Sequence, residues 1–229
     1  MNVRTLLLTI ILATTGCTFQ TSLHYADSLN DCLAPSDISL LNDACLVFER
    51  QLKERYKGFQ LGQAYRNFLQ DFRAQNIPSS FFTAPASMEV IENMRRSKTF
   101  DKIWTNSFYV EADDDSINSF NSESQQEESQ GGRGTFCTNP NGVYLDCLLR
   151  KNKNKILADY LEAIKFAPGF SSGLMAKVLG DNLAKEDYNN RLTRLIIAVG
   201  FYYETGLMFD GECKNSRVLV WFPQVDGSC

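Results

Sequence analysis

The sequence predicts a mainly α-helical protein: about six amphipathic helices, disulfide-linked, with an acidic disordered insertion and a short extended C-terminal segment. Three observations carry this expectation. Apolar residues recur at spacings of three and four through most of the chain, the period of a helix face. The stretch Glu111–Gln130 holds seven acidic residues and no basic one, with Ile117 and Phe120 its only sizeable apolar side chains. Seven cysteines stand at or beyond the end of an apolar N-terminus.

The elements follow in order. Ser36 or Asp37 can cap a first helix that carries Leu41, Cys45, Phe48, Leu52 and Tyr56 and ends at Gly58. A second presents Leu61, Tyr65, Phe68, Leu69 and Phe72 on one face, with Pro78 beyond its end, so the two form a helical hairpin. Pro85 or Ser87 opens a third, with Val90, Ile91 and Met94; Phe100, Ile103, Trp104 and Phe108 continue the apolar series less regularly. Residues 111–134 cannot bury enough apolar surface to offset the entropy of ordering them, which predicts a loop. Asn139-Pro140-Asn141-Gly142 is a strong turn signal, read as leading into one long helix through Tyr144, Leu148, Ile156, Tyr160, Leu161 and Ile164. Helices over 172–182 and 185–207 complete the series, the last with the strongest apolar stripe. Alternation over 217–225 predicts an extended tail. The expected organisation is therefore 1–16 leader, 17–35 N-terminal tether, 36–110 helical subdomain, 111–134 acidic loop, and 135–229 helical subdomain with tail.

The 229 residues are 44% hydrophobic and 22% charged, which excludes collagen-like, coiled-coil and wholly disordered chains. Net charge is -4, and a chain of that sign does not present a phosphate-binding surface, so no nucleic-acid partner is expected. The acidity belongs to one loop. Without Arg4 and the seven acids of that loop, 22 basic residues face 20 acidic ones.

Arg4, the apolar run Leu6–Ala13 and the small residues Thr14-Thr15-Gly16 have the layout of a secretory signal. The run is about half of the roughly 20 apolar residues a membrane-spanning helix needs. Gly16-Cys17 resembles the cleavage site of bacterial lipoproteins, in which a small residue precedes an obligatory cysteine; Thr14 stands where that pattern prefers Leu. The resemblance covers the leader and its cleavage site only. It implies removal of residues 1–16, acylation of Cys17 and a membrane partner through that lipid. Thr18, a residue other than Asp, implies the outer membrane, with the body facing the periplasm or the surface.

With Cys17 assigned to a lipid, Cys32, Cys45, Cys137, Cys147, Cys213 and Cys229 form an even set behind an export signal, the pattern of disulfides in an oxidising compartment. Six cysteines allow 15 pairings; the sequence-local set Cys32–Cys45, Cys137–Cys147 and Cys213–Cys229 is expected. No Cys-x-x-Cys occurs and His24 is the sole histidine, so neither a metal nor another cofactor is expected.

A serine or cysteine nucleophile normally needs a neutral-pH base, and His24 lies only seven residues past Cys17. Asp113-Asp114-Asp115 lacks EF-hand spacing, because Ile117 falls on a ligand position. Glu162 followed by Gly173-Leu174-Met175 resembles the Glu-Ser and Gly-Leu-Met-Gln segments of lytic transglycosylases, with Ala163 in place of Ser and Ala176 in place of Gln; it makes Glu162 the one catalytic candidate. Arg150, Lys151, Lys153 and Lys155 place four cations in six residues, and Trp104 and Trp221 are aromatic anchors; these six are the partner-binding candidates. The expected function is a non-catalytic cell-envelope lipoprotein that binds a protein partner, of inhibitor, immunity or assembly-accessory type. The alternative is a peptidoglycan-active enzyme using carboxylates.

Overall fold

Pro35, with its fixed φ and no N–H to satisfy, opens the first helix, α1 (Pro35–Arg55). The cap is Ala34 rather than Ser36 or Asp37, and Asp37 reaches back to accept the Ala34 N–H at 3.0 Å. The computed structural model describes residues 24–108, 134–166 and 171–215. Along these run α2 (Leu61–Arg73), α3 (Ser79–Phe82), α4 (Pro85–Arg96), α5 (Thr99–Ile103), β1 (Trp104–Phe108), β2 (Gly134–Thr138), α6 (Val143–Lys151), α7 (Lys155–Phe166), α8 (Ser172–Asn182), α9 (Arg191–Ile197), a π-helical turn (Ala198–Tyr203) and α10 (Glu204–Asn215). The protein is mainly helical, as its periodicity predicts.

The last helical segment is the axis of the core. Asn190 caps α9 by accepting the N–H groups of Leu192 and Thr193, and residues 195–203 are all buried. A helix buried on every side belongs inside a molecule, not on its rim. Around it Tyr202 stacks on Phe48 of α1 at 4.5 Å and meets Phe81 and Phe82 of α3 edge-on or tilted. Phe201 lies between Phe72 of α2 and Tyr160 of α7. Tyr202 Oη donates to the Phe81 carbonyl and Tyr203 Oη to that of Ala44, so the hydroxyls that enter the core with these rings are satisfied there. The π turn is also where Gly200 faces Tyr160: a Cβ there would stand 2.8 Å from the phenolic oxygen.

The structure departs from the expected elements in four places. The segment around Trp104 is a strand, not a continuation of the third helix; β1 pairs antiparallel with β2, from Trp104 opposite Thr138 to Phe108 opposite Gly134. The single long helix beyond the Asn-Pro-Asn-Gly turn is two. The helix expected over 185–207 starts only at Arg191, because Asp187–Asn189 forms a 3-10 turn ahead of the Asn190 cap. It also runs on past Leu207 as α10. The expected tail at 217–225 and all of the acidic loop except Gly134 lie outside the described residues.

Disulfide connectivity also departs from expectation. Cys32 bonds to Cys147 of α6, with Cα atoms 6.0 Å apart, so neither Cys32–Cys45 nor Cys137–Cys147 is formed. Sequence proximity favours closing short loops, but here packing decides. Residues 24–35 carry Tyr25, Ala26, Leu29 and Leu33 into the core, and their 3-10 turn Asp27–Leu29 lies against α6. Cys45 is a fully buried thiol on α1. Cys229 and the side chain of Cys213 lie outside the described residues. One hydrophobic core draws on both sides of the acidic stretch, from Tyr25 to Phe209.

Candidate binding face

The α6–α7 hairpin starts from the predicted turn. Asn139 donates its N–H to the Ile103 carbonyl at 2.8 Å and its side-chain oxygen accepts the Asn141 N–H. Gly142 is required there: a Cβ would stand 2.6 Å from the Lys102 carbonyl oxygen. Tyr144, Leu145, Cys147 and Leu148 then face the core, and Val143, Leu149 and Arg150 are left on the outer side of α6. Asn152 and Asn154 break the helix. Asn154 Oδ1 accepts the N–H groups of Ile156 and Leu157, the cap of a new helix, while Asn152 exchanges two hydrogen bonds with the Asn154 backbone. Asparagine competes with the helix for backbone partners, which outweighs the continuous apolar spacing.

Between the two helices lies a shallow cavity of about 420 Å³, lined by Val143, Asp146, Leu149, Arg150 and Lys165. Lys165 of α7 is ion-paired with Asp146 of α6 at 2.5 Å. Phe166, the next residue, is 81% exposed, and Val143 is 40% exposed. Val143 and Leu149 are the apolar residues of the cavity wall, beside the Lys165–Asp146 pair.

Part of the basic run is neutralised internally. Lys151 pairs with Asp31 at 2.7 Å, and its hydrogen bond holds the Asp31 carboxyl below the usual carboxylate range. Lys155 pairs with Asp159, one turn on, which raises the lysine. Among the described residues Arg150 and Lys153 are exposed and make no ion pair. Of the four cations read from the sequence, one lines the groove.

The other candidates are dispersed. Trp104 is no anchor for a partner: it is 1% exposed and packs on Phe100 at 5.2 Å. Trp221 and Cys17 lie outside the described residues. Glu162 is exposed on α7, without the apolar enclosure that a general acid of a glycosidase needs. Asp31, Cys32 and Cys147 lie within 4.8 Å of one another, but the two sulfurs are bonded to each other and Asp31 is held by Lys151. That group is a staple.

Two buried carboxylates, Asp37 and Glu49, and a half-buried one, Glu204, tie elements together, and the sequence reading names only Asp37, as a cap. Asp37 is 1% exposed and accepts from Thr99 Oγ1 at 2.7 Å and Lys102 Nζ at 2.6 Å. Burial raises its carboxyl, but these donors and the Ala34 N–H outweigh that and hold it low. Glu49 accepts from Tyr65 Oη at 3.3 Å and Arg194 at 3.5 Å, joining α1 to α2 and α9. It lies four residues after Cys45, on the buried stripe of α1, and a charge on an apolar stripe was the signal that could have found it. Glu204, at the start of α10, accepts the N–H and the hydroxyl of Thr138 at 2.9 and 2.8 Å, tying β2 to α10. Burial pushes its carboxyl up to about 7, against the lowering effect of those two donors. Each of the three links elements inside the fold.

The apolar residues missed on the groove, Val143 and Leu149, and the exposed Phe166 that follows its Lys165 had a signal too. The two aliphatic residues of α6 flank its buried stripe, and Phe166 comes just before Pro168 at a helix end. Comparison of the chain with protein-family models, with curated proteins and with solved structures finds no match.

Proposed function

We propose that this chain is an exported, lipid-anchored cell-envelope protein that binds a protein partner without catalysing a reaction, as an inhibitor, immunity factor or assembly accessory would. The observation that carries the reading is the Cys32–Cys147 bridge. Disulfides persist in oxidising compartments, which agrees with the signal-like leader and with the lipoprotein-type Gly16-Cys17 site. The described body supports binding over catalysis. Its buried and half-buried carboxylates are engaged in holding helices and strands together, and its open groove offers apolar and cationic side chains.

The test has two parts. Wild type partitions with membranes, and Cys17→Ser moves the protein to the soluble fraction. Soluble Cys17→Ser, used as bait in envelope extract, retains a partner in fixed stoichiometry. A wild type that is itself soluble would remove the lipid anchor. Release of products from purified cell wall, lost in Glu162→Gln, would replace binding with hydrolysis.

A further inference from the structure

We draw no further inference here: the strongest candidate, the shallow cavity between α6 and α7 lined by Val143, Asp146, Leu149, Arg150 and Lys165, carries none, because nothing in the structure shows what covers it.

Discussion

At Glu204 two effects of opposite sign meet: burial favours the protonated carboxyl, and the two Thr138 donors favour the carboxylate. Burial wins, raising the group from the ordinary 4.5 to about 7. The native state therefore binds this proton more tightly than the unfolded chain. Its contribution is fully present below about pH 4.5 and is lost as pH rises through about 7, a span worth up to about 3 kcal/mol. Urea denaturation at pH 5 and pH 8.5 should show wild type weaker at the higher pH, and Glu204→Gln should flatten that difference. An unchanged slope in the variant would assign the pH dependence elsewhere. Asp37 has the opposite sign. Its carboxyl is held low, so its contribution is present at neutral pH and lost on acidification below the ordinary aspartate value. Gly142 is a steric case, since a methyl group 2.6 Å from the Lys102 carbonyl must displace backbone. Gly142→Ala should cost about 1–3 kcal/mol by the same assay.

Among the elements, legibility follows the locality of what fixes each one. The second helix was readable because its stripe Leu61, Tyr65, Phe68, Leu69, Phe72 meets only the helix period. Strand β1 was not. Phe100, Ile103, Trp104 and Phe108 also fit helical spacing, and what makes 104–108 a strand is its pairing with β2, across the acidic stretch. The break between α6 and α7 was local and still missed, because apolar periodicity was given more weight than the two asparagines that cap and break. Asn154→Ala removes the cap of α7 and should cost about 1 kcal/mol, read as a lower urea midpoint. An unchanged midpoint would mean that packing alone holds the corner. The candidate site was legible only in part, since Arg150 stands in the basic run while the exposure of Val143 and the half-burial of Leu149 beside it follow from packing that periodicity does not report.

For the whole molecule, the helical class was written in the pattern, whereas the connectivity depended on how the chain closes on itself. Local cysteine pairs would have stapled single segments; Cys32–Cys147 instead ties the N-terminal segment to α6 across a sequence separation of 115. Closing so long a loop restricts the unfolded chain strongly, so Cys147→Ser should lose about 2–5 kcal/mol. Phe48→Ala, which removes a ring that meets Tyr65, Phe68 and Tyr202, should lose about 3–5 kcal/mol. The most direct test of the proposed export and of the cross-brace is a non-reducing peptide map of the native chain taken from the membrane fraction. The account predicts a peptide containing Cys32 linked to one containing Cys147, Cys45 reactive only after denaturation, and an N-terminal peptide that starts at acylated Cys17. Cys32 and Cys147 both recovered as thiols, or joined to Cys45 and Cys137, on a chain that starts at Met1, would contradict it.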